Sequence, residues 1–440
     1  VIEQYAQPLG DIVVAGTPVT GSVRTGSGDL THRRTYTDGE LYAPVTGYNS
    51  HVYGATQLEG IHQDVLNGTD PRLSGPLGLL TGDAGEPGDV LTTIDPDVQK
   101  AGFRALGDKT GAAVALDPDT GKVLGMVSTP SYDPSAISGG TEAADAWDGL
   151  TTDEDKPMLN RALRQTYPPG SAFKLVVAAA ALENGLYGSI DEPTESPDPY
   201  HLPGSSTVLR NENASAPCED ADIRTALQYS CNNVFAKMAV DLGQDKVGAM
   251  ADAFGFNTGK LDIPARAAES VYPDGMDEAQ TALSGIGQFD VTATPLQMAM
   301  VTSAIANGGE LAAPHLVSEV TDSDGDVLER PGDDTEPARV VGEDTAEQLR
   351  DAMVTVVEGG TGGNARIAGM EVGGKTGTAQ RGVENSEKPY AWFVSYAENA
   401  DGEQVAVAVV VEDSDAVRAE VSGNGLAAPI AKRMMEAALR

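Results

Sequence analysis

The sequence predicts an α/β fold: one sheet drawing strands from both ends of a long second domain, with a smaller N-terminal domain ahead of it. A β-hairpin pattern stands early, at residues 111–116 and 122–127 around the Gly-containing loop 117–121. Strand patterns at 391–396 and 404–411 stand late, the second an apolar run typical of a central strand, and helical patterns fill the tract between. Turn chemistry throughout residues 82–89 separates a domain of residues 1–90 from one of residues 91–440, and a chain of 440 residues exceeds the usual single-domain size.

Residues 1–90 are rich in Gly, Thr and Asp, with strands expected at 11–15 and 21–24 and a short helix at 58–66. No catalytic constellation is visible there. Asp95 as N-cap and Pro96 at the first helical position open a helix running to about residue 106. After the hairpin comes Tyr167-Pro168-Pro169-Gly170-Ser171-Ala172-Phe173-Lys174. The two prolines and the glycine deny helix to what precedes them, so Ser171 falls at or just inside a helix start, and Gly185 supplies the stop. Residues 175–182 have no polar side, which predicts a helix buried all round whose polar tip meets water. A loop-rich tract, 191–220, leads to helices at 223–228 and 234–242, with Tyr229-Ser230-Cys231-Asn232-Asn233 between them.

Thr294-Pro295-Leu296-Gln297 starts a helix with both a capping-box pattern and Pro at its first position, ending at Asn307-Gly308. A second hairpin is expected at 315–320 and 326–329, then a polar surface loop over 331–342, a helix at 344–358 and a Gly-rich turn at 359–363. Gly374-Lys375-Thr376-Gly377-Thr378-Ala379 leads into the two late strands, and an amphipathic helix at 426–439 closes the chain. The terminal helices are expected on one face of the sheet and the Ser171 helix on the other.

Acidic side chains number 66 against 29 basic, a formal net charge of -37. Such a field disfavours nucleic acid and bare anionic membrane surfaces as partners, and its even spread reads as a solvated acidic surface. The five histidines (His32, His51, His62, His201, His315) show no ligand spacing, which argues against a metal centre and against a Ser-His-Asp triad; no cofactor is expected. Two cysteines, Cys218 and Cys231, are too few for a disulfide scaffold but could form one bridge. No run of about 20 apolar residues exists to span a membrane. The chain starts at Val1 rather than Met, so either a leader or anchor was removed or this is a fragment.

Ser171 and Lys174 stand three residues apart on one face of the first helical turn. Desolvation pushes a buried lysine towards the neutral amine, which can accept a proton from an adjacent serine hydroxyl. The helix start adds unpaired N–H groups and a positive partial charge where an oxyanion would form. Alone, Ser-x-x-Lys is a weak signal, far more often an N-cap followed by a lysine reaching for solvent. Two further motifs follow in order, Ser230-Cys231-Asn232 and Lys375-Thr376-Gly377. Decoys exist at Lys109-Thr110-Gly111 and Ser422-Gly423-Asn424; we read the first as a turn before a hairpin and the second as loop, because order and setting favour the other triplets.

This motif set resembles the penicillin-binding proteins, and the sequence around it resembles their monofunctional class B transpeptidases, in particular actinobacterial members. The similarity extends over Gly111 to Pro134, Asn160-Arg161, Tyr167-Pro168-Pro169-Gly170-Ser171 and Thr294 to Ala299, and covers most of residues 91–440. Residues 1–90 resemble the family's membrane-proximal domain more loosely. The resemblance implies a central antiparallel five-stranded sheet with helices on both faces, and a location on the outer face of the bacterial cell membrane with the anchor absent from this chain. It implies Ser171 as the acylated nucleophile, Lys174 as its base and Ser230 as the proton relay to the leaving amine. It implies that Asn232 binds the donor-peptide amide, that Lys375, Thr376, Gly377 and Thr378 form a strand binding a substrate or β-lactam carboxylate, and that the N–H groups of Ser171 and Thr378 form the oxyanion hole. The implied partners are D-Ala-D-Ala stem peptides of peptidoglycan, β-lactam antibiotics and membrane proteins of a cell-wall synthesis complex.

Acyl transfer through a serine ester independently needs a base, a proton donor for the leaving group and oxyanion donors. With no histidine in these motifs, lysine must be the base. Cys231 stands where many relatives carry another residue, and Tyr390 where many carry His. A substrate outside the membrane places the cysteines where thiols are commonly oxidised, so a Cys218–Cys231 bridge is expected, with two buried thiols as the alternative. A D,D-transpeptidase is the leading reading. A β-lactamase or D,D-carboxypeptidase shares the motifs, and a non-catalytic scaffold is a reading from another class.

Overall fold

The computed structural model describes residues 7–25, 31–74, 85–140, 142–259, 261–332, 335–380, 387–416 and 421–440. Part of the expected boundary turn, residues 82–84, lies outside them. Along the chain, β1 (Ile12–Val14) turns through Ala15 and Gly16, both at positive φ, into β2 (Thr17–Pro18). The helix expected at 58–66 is broken at His62 into Gln57–Ile61 and Gln63–Leu66. After β3 (Asp89–Thr92) comes α1 (Pro96–Leu106), where the Asp95 carboxylate accepts from the N–H groups of Asp97 and Val98. The hairpin β4 (Thr110–Leu116) and β5 (Val123–Thr129) follows. Helices α2 (Lys174–Glu183), α3 (Ile223–Tyr229), α4 (Asn232–Leu242) and α5 (Pro295–Ala306) fill the middle. The second hairpin is β6 (Val317–Thr321) and β7 (Val327–Glu329), and α6 (Glu343–Gly359) precedes β8 (Glu371–Ala379), β9 (Tyr390–Glu398), β10 (Gln404–Asp413) and α7 (Ala428–Ala438).

The central sheet runs β8-β9-β10-β4-β5, antiparallel throughout, so the late strands pair with the early hairpin through β10 and β4. Val405 to Val410 are fully buried because helices cover both faces. On one face α1 and α7 pack against each other and the sheet. On the other face lies α5, not the Ser171 helix. Both helices are apolar all round, but α2 must start at the sheet edge, where the nucleophile turn meets β8; it therefore lies one layer out, enclosed by α4, α6 and the helix Gln244–Ala253. Leu175 to Ala181 are fully buried there.

Thr294 caps α5 by accepting from Gln297 N, but the Gln297 side chain donates to Phe254 O at 2.7 Å instead of returning to the cap. The expected capping box is thus half made. A complete one, Asp277 with Gln280, starts the helix Glu278–Ser284. A second sheet runs β7-β6-β3-β1-β2, joining residues from both sides of position 90.

Candidate active site

The nucleophile turn is held from three sides. Tyr167 exchanges backbone hydrogen bonds with Ala293 at 2.9 and 2.8 Å, and Pro168 O accepts from Trp392 Nε1 at 3.0 Å. Gly170 has φ 52° and donates to Gly287 O at 3.1 Å. Ser171 then lies in a 3₁₀ turn, Gly170–Phe173, that runs straight into α2 with Lys174 as its first residue. Two other glycines make the fit possible. A Cβ on Gly287 would stand 2.0 Å from Gly170 O, and one on Gly377 would stand 2.9 Å from Pro169 O and 3.3 Å from Ala172 N. Strand β8, the edge of the sheet, therefore touches the backbone of the turn that carries Ser171.

Ser171 is half-buried, while Lys174, at the polar tip expected to meet water, is fully buried. Its Nζ lies 2.8 Å from Ser230 O, 3.2 Å from Ser230 Oγ and 2.8 Å from Asn232 Oδ1. Lys375, on β8 and also fully buried, donates from Nζ to Ser230 Oγ at 2.9 Å and to Thr376 O at 2.9 Å. Two lysines thus converge on one hydroxyl. Burial first, and then the charge of Lys375, hold Lys174 well below the usual lysine range. Burial brings Lys375 down to about 7, against the opposing charge of Glu212.

A neutral Lys174 has two N–H donors and one lone pair. Donating to Ser230 O and Asn232 Oδ1 leaves the lone pair for the Ser230 hydroxyl proton, while that oxygen accepts from Lys375. Ser230 sits between α3 and α4 at φ 60°, ψ 45°, a left-handed conformation uncommon for serine, which lets one residue offer both carbonyl and hydroxyl to Lys174. The Sγ atoms of Cys218 and Cys231 are bonded at 2.01 Å, tying the loop-rich tract to this turn. Further along β8, Thr376 Oγ1 lies 2.8 Å from Thr361 Oγ1, and Thr378 is half-buried. Lys109 precedes β4 and contacts Leu106 O, and Ser422 caps the turn Gly423–Ala427, so neither decoy joins the lysine pair.

Residues 111–436 match the family of the penicillin binding protein transpeptidase domain. The chain belongs to the penicillin-binding transpeptidases. Residues 9–90 match the penicillin binding protein A dimerisation domain. The transpeptidase is 39% identical to the peptidoglycan D,D-transpeptidase PbpA of Mycolicibacterium smegmatis over 452 residues, covering 100% of this chain and 90% of the relative. It is 37% identical to the Mycobacterium tuberculosis PbpA with the same coverage. The ceftriaxone acyl-enzyme complex of M. tuberculosis penicillin-binding protein A superposes with a TM-score of 0.92 at 36% identity, covering 100% of both chains. The penicillin G acyl-enzyme complex gives 0.89 at 37% identity, covering 99% of this chain and 100% of that one.

Several residues at the transpeptidase site carry no sequence motif. Asn211 Oδ1 accepts from Asn232 N at 2.6 Å and Asn233 N at 3.3 Å, and Arg210 O accepts from Asn232 Nδ2 at 3.1 Å. Glu212 follows, its charge acting on both lysines. These residues lie in an aperiodic tract, where only the expected disulfide pointed to the site. Thr361 falls in the Gly-rich turn after α6, whose composition signalled a turn but not that it meets β8.

Proposed function

We propose that Ser171 is the acylated nucleophile of a peptidoglycan D,D-transpeptidase, with Lys174 as its base. The observation that carries this reading is the convergence of two buried lysines on Ser230 Oγ beside the turn that bears Ser171. Lys174, its proton affinity lowered by burial and by the charge of Lys375, takes the Ser171 proton as Oγ attacks the penultimate D-Ala carbonyl. The N–H groups of Ser171 and Thr378 receive the oxyanion. The proton passes through Ser230 to the departing D-Ala amine, and protonated Lys375 orients the Ser230 hydroxyl towards Lys174.

Asn232 Oδ1 holds Lys174 and its amide faces the donor peptide; Thr376, Gly377 and Thr378 form the edge against which the donor backbone and its carboxylate lie. Lys375 attracts that carboxylate from behind the strand. β-Lactams acylate Ser171 as mimics of the donor. Location on the outer face of the cell membrane, and membrane-protein partners in cell-wall synthesis, rest on the family; no helix among the described residues is long and apolar enough to cross a membrane.

The test is product analysis of a D-Ala-D-Ala-terminated stem peptide incubated with a second, amine-bearing peptide. Cross-linked product with release of D-Ala is expected. Release of D-Ala with hydrolysis alone would identify a carboxypeptidase, and no release from folded protein would contradict the acyl-transfer reading.

A further inference from the structure

We infer that Glu212 selects the acceptor, as a rim carboxylate that draws a cationic amine of the second peptide to the acyl-enzyme. This inference rests on the acyl-transfer reading of the site. Residues 210 and 211 are bonded directly to Asn232, through Arg210 O and Asn211 Oδ1, and Asn232 Oδ1 accepts from Lys174 Nζ at 2.8 Å. Asn211 Nδ2 also donates to Asn233 Oδ1 at 2.9 Å, and the Cys218–Cys231 bridge fastens the far end of the same loop. The backbone beside Glu212 is therefore fixed to the catalytic turn. Glu212 itself is exposed, and among the described residues it makes no hydrogen bond or ion pair. It directly follows Asn211, whose side chain is bonded to Asn232 beside Lys174, and its charge is felt by both Lys174 and Lys375.

The second half of transpeptidation gives this position a use. An alkylamine acceptor arrives in neutral water as an ammonium ion, and protonated Lys375 beside the serine ester repels it. A carboxylate fixed at the rim offsets that repulsion. The ammonium gives up one proton to neutral Lys174, which returns it to water. The nitrogen lone pair then forms the amide bond to the acyl carbon as the bond to Ser171 Oγ breaks. A second proton from the nitrogen ends on Ser171 Oγ through Ser230, so the serine hydroxyl is regenerated. Glu212 acts by charge alone and takes no proton.

The test compares two acceptors on acyl-enzyme formed by the full chain from a D-alanyl thioester donor. One is the ε-amine of Nα-acetyl-lysine amide, cationic at neutral pH; the other is methoxyamine, which is neutral there. The quantity read is the ratio of their aminolysis rate constants. Glu212→Gln should lower that ratio by about two- to fivefold, the size of an exposed charge pair, and Glu212→Asp should restore it. Salt at about 1 M, where charges are screened within about 3 Å, should bring the wild-type ratio down to that of the Gln variant. An unchanged ratio in Glu212→Gln overturns the assignment while leaving the acyl-transfer reading intact. Equal slowing of both acceptors overturns it too, since Glu212 would then act only through the lysines. Failure of the donor to form any acyl-enzyme would overturn both readings together.

Discussion

A lysine at the head of an apolar helix loses its hydration on every side, and Lys174 has Lys375 as a second cation nearby. Lys174→Ala should therefore slow penicillin acylation by at least roughly 10²–10⁴-fold, the range for a general base, with the melting temperature largely retained. Stopped-flow acylation and thermal melts check this, and near-normal acylation would assign the proton to another group. The acylation rate should also follow a bell in pH. It rises as Lys174 loses its proton and falls above about 7 as Lys375 loses its own. Lys375→Ala removes the like charge, so the rising limb should move to higher pH; a limb that stays in place would show that burial alone sets the Lys174 pKa. Between about 7 and 10.5 the unfolded chain holds the proton that folded Lys375 has lost, so this group's contribution to stability improves as the pH rises through that window. At this scale the meeting of Lys174, Ser230, Asn232 and Lys375 was legible, because residue type and motif order pointed to it. The contact of Asn211 with Asn232 and Asn233 was not, since it depends on where an aperiodic loop folds back.

Helix starts were legible wherever the signal is a local hydrogen bond, as with Asp95 and Thr294, whose side chains accept from the first turn. Which apolar helix lies on the sheet was not legible, because α2 and α5 are equally devoid of a polar side and only tertiary contact with β8 decides between them. Gly287 tests how tightly the nucleophile turn is built. It has φ 69° and no room for a Cβ, whereas Gly308 has φ 61° and open space around it. Gly287→Ala should destabilise by more than the roughly 1–2 kcal/mol of a left-handed alanine and should depress acylation. Gly308→Ala should show the backbone cost alone, with acylation unchanged. Equal effects in melts and acylation assays would contradict the close approach at Gly170. The Cys218–Cys231 bridge closes a loop of sequence separation 13, for which chain entropy gives about 3 kcal/mol. Unreduced, denatured protein should contain no free thiol; two would show that packing alone holds the loop.

Across the whole molecule, the hairpin β6–β7 adds a late segment to the β3 edge of the sheet built by β1, β2 and β3. Ile12, Val90, Val317 and Val320 are all fully buried in it. A fragment of residues 91–440 alone should consequently melt lower and yield less soluble protein than the full chain, because it lacks β1 and leaves β6 without half of its partner strand. Equal melting and yield would show that the second sheet contributes no stability to the larger domain. The pairing of early and late strands in the central sheet was legible from the order of patterns along the chain, whereas the sharing of the second sheet across residue 90 was not, since register between distant strands leaves no local mark. Both sheets serve a site whose central claim is that Ser171 is the acylated nucleophile. Intact-protein mass spectrometry after incubation with penicillin, followed by peptide mapping, tests that claim most directly. One covalent adduct on the peptide containing Ser171, absent from a folded Ser171→Ala variant, is the predicted result; an adduct on Ser230 or elsewhere, or none on well-folded protein, would contradict it.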